Sequence, residues 1–383
     1  ELCTTGDTPE ELYDLEISTG GIRAASRRAV KVIPAYKDEY SFVHITDVHI
    51  GCCKKVDQYS IERVLEHPSE EIFARVADEV NLINPEFVLI SGDIVASAEG
   101  TARTQGKVEG TFAEDEFRDF LDILNRFEAP TFVLPGNHDL VGTQNRPLLE
   151  FWEKYFLHRY YSFTYGDAYF LGLDNSNAME ATTFLYPKAS IRLDEEQREW
   201  LIGDLDRNVA RALKIFFFHV NTNRQEIEKL ADDYGAQLAL FGHWHMDDVK
   251  TAGKTPTAWI QTKSLLEKGG YRLVRVKNNR IVSHSVDGEA ASLTWKDIGV
   301  SFSPANDGAH GSVTAVIENR TTETFEGARL KFIMPKAESY TVSGGEIAGT
   351  EPFGEVIPGG EKAVVCVRTA ARPGATTVTV TKK

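Results

Sequence analysis

Five short stretches of this chain share one plan: FVHITDVHIG (42–51), FVLISGDIV (87–95), TFVLPGNHD (131–139), IFFFHVN (215–221) and LALFGHWH (238–245). Each opens on a run of about four residues, mostly apolar and of the length of a buried strand. Each then turns abruptly polar. The residues that follow are Asp47 and His49, then Asp93, then Asn137, His138 and Asp139, then His219, and last His243 and His245. Gly92, Gly136 and Gly242 stand in the turns, where they allow the tight backbone needed for close approach to a ligand. Open α/β sheets place their sites just beyond the carboxyl ends of their strands.

Outward from these stretches, helix-period segments fall between several of the strands, at Ser69–Leu82, Glu114–Phe127 and Asp194–Leu205. The last opens on Asp194 as an N-cap, with Gln197 three residues on, the spacing of a capping box. A further strand is expected at Tyr169–Leu173. Apolar strands alternating with amphipathic helices make a layered α/β domain with its sheets buried on both faces, expected over 41–288. Residues 1–40 form an extension with short strands at Leu12–Ile17 and Ala29–Ile33, and 289–300 read as a linker. From 301 to 383 the periodicity changes to alternating Thr and Val. Strands are expected there at Ser312–Glu318, Ala328–Ile333, Glu338–Val342, Lys362–Arg368 and Thr376–Thr381, which together make a small β-sandwich.

Composition narrows the functions. The chain has 383 residues, is 42% hydrophobic and 10% aromatic, and can bury a sizeable core. Its formal net charge of −15 argues against nucleic acid as the main partner, because phosphate-backbone binders carry a basic face. A small phosphorylated substrate stays compatible, since bound cations can supply local positive charge. No stretch reaches the roughly 18 apolar residues of a membrane span. The numbering begins at Glu1, so a trimmed signal peptide is expected. The cysteines Cys3, Cys52, Cys53 and Cys366 allow both free thiols and disulfides, and lack the paired spacing of a zinc site.

The polar set itself points to two metals. Asp47, Asp93, His49, His219, His243, His245 and Asn137 offer two carboxylates, four imidazoles and an amide oxygen without thiolates, a shell for Mn, Fe, Zn, Ni or Co. The i, i+2 pairs Asp47/His49 and His243/His245 would each point to one side of an extended segment. A carboxylate such as Asp93 can bridge two cations and make a shared water acidic. Five of the ten histidines fall in these positions, whereas His44, His67, His158, His284 and His310 read as structural or surface residues.

The series DxH, GD, GNHD, H and GHxH, in this order, resembles the signature of the calcineurin-like metallophosphoesterase superfamily. The resemblance implies a four-layer α/β/β/α sandwich. It implies that Asp47, His49, Asp93 and His245 hold one metal, and that Asp93, Asn137, His219 and His243 hold the other. His138 would contact phosphate and protonate the leaving oxygen after attack by a bridging hydroxide, and Asp139 would orient His138 or its loop. Ala96 stands where purple acid phosphatases place a tyrosine, and Val220 where many phosphodiesterases have proline. The likeness within the superfamily is to the bacterial phosphodiesterase-like branch, through ITDVHI, GNHD and LDEEQREWL.

The segments EGARLKFIMPKAESYTVSGGEI and IPGGEKAVVCVRT are similar to the Ig-like modules of secreted hydrolases. That similarity implies an extracellular, periplasmic or cell-surface address and a possible polysaccharide contact. Asn319 heads a glycosylation sequon. The expected activity is hydrolysis of a phosphodiester on a small or lipid-linked substrate, with a phosphomonoesterase, a nuclease and an inactive binding scaffold as the alternatives. Residues 51–68, 97–112 and 140–160 are expected to shape the pocket, and Arg146 is expected to be an exposed surface arginine, with a phosphate contact as the alternative.

Overall fold

A computed structural model of the chain describes residues 11–51, 67–96, 110–142, 146–176, 193–221, 224–251, 257–286, 291–352 and 362–383. Cys3, Cys52 and Cys53, the side chain of Arg146 and most of two segments expected to shape the pocket lie outside the described residues.

The chain begins with a hairpin of β1 (Leu12–Thr19) and β2 (Ile22–Lys31). The strands β3 (Glu39–Ile45), β4 (Val88–Ser91) and β5 (Thr131–Leu134) then run parallel, with α1 (Ser69–Ile83) and α2 (Gly110–Leu124) in the crossovers. Next come α3 (Asn137–Leu140), the short pair β6 (Val141–Gly142) and β7 (Arg146–Pro147), and α4 (Leu149–Phe156). A second sheet starts with the hairpin of β8 (Tyr161–Tyr165) and β9 (Ala168–Gly172). It grows through α5 (Glu195–Arg207), β10 (Leu213–Phe217), α6 (Gln225–Tyr234), β11 (Leu238–Phe241), β12 (Asp248–Thr251) and β13 (Ala258–Gln261). The chain then returns to the first sheet through α7 (Leu265–Lys268), β14 (Gly270–Lys277), β15 (Arg280–Ser283) and β16 (Leu293–Thr294).

The first sheet has the order β15-β14-β3-β4-β5 and the second β12-β13-β11-β10-β9-β8. Their facing sides share one core: Phe42, Leu89 and Val274 from one meet Phe170, Ile215, Phe217, Leu240 and Ile260 from the other. Successive strand residues point to opposite faces. Accordingly, Val43, Ile45, Val88 and Ile90 are buried on the first sheet's other side, where α1 and α2 bring Phe73 and Phe120 into a stack 5.2 Å apart. The second sheet's outer side buries Leu171, Phe216 and Ala239 under Leu201 and Leu205 of α5 and Ile227, Leu230 and Ala231 of α6. The result is the four-layer α/β/β/α sandwich.

Several local outcomes differ from the sequence reading, two of them near the second sheet. Asp194 does cap α5, accepting from the Gln197 amide at 2.8 Å, but the Gln197 side chain does not close a capping box. It instead clasps Asp174, accepting from its amide and donating to its carbonyl. The helix α6 was not anticipated, although Ile227, Leu230 and Ala231 have helical spacing and Gly235 ends it in the left-handed conformation.

A second compact unit carries the chain's end. It contains β17 (Ile298–Ser303), β18 (Ser312–Asn319), β19 (Phe325–Pro335), β20 (Tyr340–Ser343), β21 (Glu346–Pro352), β22 (Lys362–Ala371) and β23 (Gly374–Lys382). These form two antiparallel sheets, β17-β18-β23-β20 and β19-β22-β21. Alternate residues are buried, among them Val313, Ala315 and Ile317 in one sheet and Leu330, Phe332 and Met334 in the other. Cys366 is buried, and its sulfur accepts from the Arg329 guanidinium at 3.6 Å. The sequon residue Asn319 is buried, and its side chain donates to the carbonyls of Glu323 and Ala371 while accepting from Thr321, so it is committed to the fold.

Candidate metal centre

The parallel strands of both sheets end at one edge, and the polar residues lie just past those ends. The backbone there is unusual. Asp47, His49, Asp93, His243 and His245 all adopt left-handed φ, between 50° and 79°. Side chains rarely tolerate this region. The i, i+2 pairs are therefore not on extended segments as the sequence suggested; they converge through tight turns. Close approach explains two of the glycines. A Cβ on Gly136 would lie 2.2 Å from Asp93 Oδ1, and one on Gly242 would lie 2.5 Å from Asp47 Oδ2.

Asp93 and Asp47 each have one oxygen anchored and one turned inward. Asp93 Oδ1 accepts from the His138 amide at 2.8 Å. Its Oδ2 faces His219 Nε2 at 3.0 Å, His49 Nε2 at 3.7 Å and His138 Nε2 at 3.9 Å. Asp47 Oδ2 accepts from the His243 amide at 3.0 Å and from the Thr46 hydroxyl at 3.0 Å. Its Oδ1 faces His245 Nε2 at 3.3 Å, and His49 and His219 at 3.8 Å. Three overlapping groups result: Asp47, His49 and His245; His49, Asp93 and His138; Asp93, His219 and His243.

Several ligand-type atoms here lack protein partners. His219 Nδ1 bonds the Ser91 carbonyl at 2.8 Å, which fixes the tautomer and leaves Nε2 facing inward. Although His219 Nε2 lies near Asp93, the pair lacks hydrogen-bond geometry, and His49 Nε2 and Asn137 Oδ1 are likewise buried without a hydrogen bond. Buried polar atoms are otherwise almost always satisfied. The donor set of imidazole, carboxylate and amide oxygen fits a pair of divalent cations.

The electrostatics agree. Burial disfavours both aspartate anions, but the surrounding imidazoles override it and hold both carboxyls well below the usual range. Burial also opposes a charge on His219, yet Asp93 and Asp47 raise its pKa to about 10. Burial lowers His138 to about 3 and His243 to about 4. The Asp139 carboxylate accepts from the amides of Ile94, Val95 and Gly136 and so ties the turn after β4 to the turn after β5. His44, buried between Thr262 and Ser91 hydroxyls, stays outside the cluster.

Sequence reasoning missed several supporting residues. Asn175, just past β9, clasps Val220 at both its amide and its carbonyl and so fixes the turn after His219. Gln261 accepts from Asn221 at 2.6 Å and donates to the Met246 carbonyl. Arg272, fully buried, donates to Asp247 at 2.6 Å and anchors the turn after His245. The only signal for Asn175 was its place after an apolar strand in LGLDNS.

No curated protein matches the chain. Among solved structures, a dimetal phosphatase from Danio rerio is 12% identical with a TM-score of 0.51, covering 67% of this chain and 99% of its own. A 5'-nucleotidase precursor from Thermus thermophilus is 15% identical with a TM-score of 0.39, covering 64% of this chain and 53% of its own. The family model described as calcineurin-like phosphoesterase matches residues 40–247. Since that match spans more than half of the sequence and takes in all five strand-end stretches, the chain belongs to the calcineurin-like phosphoesterase family.

Proposed function

We propose that the protein is a two-metal phosphodiesterase acting on a small or lipid-linked substrate. Asp47, His49, Asp93 and His245 hold one cation, and Asp93, Asn137, His219 and His243 hold the other. The observation that carries this reading is the inward oxygen of Asp93, on which His219, His49 and His138 converge while its other oxygen is tied to the His138 amide. Bound cations would supply an acidified water and would neutralise charge added at phosphorus.

The chain's own residues do the rest. The amide bond to Asp93 fixes where the His138 ring stands, and the ring is 17% exposed at the edge of the cluster. Burial keeps it neutral at rest. A phosphate anion arriving against it raises its proton affinity, so the proton for the leaving oxygen is acquired together with the substrate. Asp139 holds the two turns that carry Asp93 and His138 in register.

A diester is favoured over a monoester by charge. The principal charges felt by Asp47, Asp93, His138, His219 and His243 come from this cluster, His49 and His245 included, with no Lys or Arg of the described residues among them. A singly charged diester needs less cationic help than a monoester dianion. With Mn²⁺ added, bis-p-nitrophenyl phosphate is expected to exceed p-nitrophenyl phosphate in kcat/KM by about tenfold. The reverse order would make the protein a phosphomonoesterase, and background turnover of both with metals bound would make it a scaffold. We also read the C-terminal unit as Ig-like, and with it an extracellular or periplasmic address, on the strength of its two antiparallel sheets with alternating burial.

A further inference from the structure

The turn that supplies His243 and His245 carries two large side chains that folding does not explain. Trp244 is 48% exposed and Met246 57% exposed, whereas Trp152 and Trp259 are fully buried. The indole of Trp244 stands edge-on to the His243 imidazole, with ring centroids 5.3 Å apart and planes at 72°. Left-handed φ at His243 and His245 turns the two imidazoles toward the aspartates and leaves the residues beside them facing out.

This turn is held firmly. The Trp244 amide donates to the Gly242 carbonyl, Gln261 holds the Met246 carbonyl at 2.8 Å, and Asp247 is anchored by buried Arg272. An exposed indole on a fixed backbone is a preformed stacking surface that loses little freedom when a ligand settles on it. Met supplies an adaptable edge beside it. Two side chains offer at most a few hundred Å², well short of the roughly 800 Å² per partner of a stable protein interface. The occupant is therefore a small group. Because the indole stands against the ring of a candidate ligand, that group belongs to the substrate held at this centre.

We propose that Trp244, with Met246, forms a subsite for a flat apolar substituent on the phosphate, an aryl or heteroaryl group that stacks on the indole. The proposal rests on the phosphoester reading and names the class of substrate that this centre takes. Stacking needs no charge, which suits a chain of net charge −15 that offers little electrostatic attraction to an anion.

The test is calorimetric binding of phenylphosphonate and methylphosphonate to the full chain loaded with Mn²⁺, in wild type, Trp244→Ala and Trp244→Phe, with metal content measured in each. Wild type is expected to prefer phenylphosphonate by about tenfold. W244A should erase that preference while methylphosphonate affinity and metal content stay within about twofold of wild type, and W244F should restore most of it. Equal affinities in wild type, or a preference that survives in W244A, would overturn the subsite and leave the phosphoester reading standing. Binding of neither phosphonate by metal-loaded protein would overturn both.

Discussion

The strand β4 has a buried carboxylate near each end, and the two are treated in opposite ways. Before the strand, Glu86 is paired by the protein itself: Lys37 reaches it at 2.5 Å, the Tyr165 hydroxyl donates at 3.1 Å and Lys31 lies 3.9 Å away. After the strand, Asp93 has one oxygen satisfied by an amide, and its other oxygen faces imidazole nitrogens without a hydrogen bond from His219 or His49. Burying a charge costs several kcal/mol unless it is paired. At Glu86 the chain offsets that cost with its own cations, which serves folding. At Asp93 the offset comes from imidazoles, His219 foremost, whose proton a bound cation would displace, which serves chemistry.

Removing each carboxylate should separate the two roles. Asp93→Asn is expected to lower turnover by at least about 10³-fold and to reduce bound metal, as measured by initial rates and elemental analysis. Full metal and full turnover in that variant would end the two-metal assignment. His138→Gln should retain its metals yet lose about 10²-fold in kcat on a diester with an alkyl leaving group. The loss should be smaller for p-nitrophenolate, which departs without a proton, and equal losses would remove His138 as the acid.

A third measurement concerns protons. Because its folded pKa is raised to about 10, His219 is protonated at pH 8 in metal-free protein. Its contribution to stability is fully present below the unfolded value near 6.5 and is lost as pH rises through about 10. Cation binding must expel that proton, so loading with Mn²⁺ at pH 8 should release about one proton more than it does above pH 10. Calorimetry in buffers of different ionisation heat reads this directly, and no release at pH 8 would place the cations elsewhere. The smallest effect belongs to Glu86→Gln, with turnover within about twofold. Its stability loss should be only about 1 kcal/mol by denaturant melting, because Lys37 is 40% exposed and the pair is partly screened by water.

Much of this centre was legible because a buried strand and the polar residues at its end are adjacent in sequence. Asp47, Asp93, His219 and His243 could be ordered along five strand ends before any coordinate was known. Roles that depend on contacts across the sheet were not legible. Gln197 has the spacing of a capping partner, but Asp174 offers it two backbone groups and wins it. Arg272 sits in GYRLVRVK, where alternation would send an arginine to solvent, and it is buried because Asp247 and two carbonyls surround its guanidinium. Asp139 was expected to serve His138 or its loop, and the three backbone amides that its carboxylate accepts from lie far apart in sequence.

The left-handed turns at Asp47, His49, Asp93, His243 and His245 have a practical consequence for anyone who sets out to make this protein more heat-resistant. Glycine would relieve about 1 kcal/mol of backbone strain at each position. A selection that rewards only survival at high temperature would therefore be drawn to five replacements that dismantle the centre. A library built for thermostability should hold these five codons fixed, or couple every round of heating to a screen for bound metal.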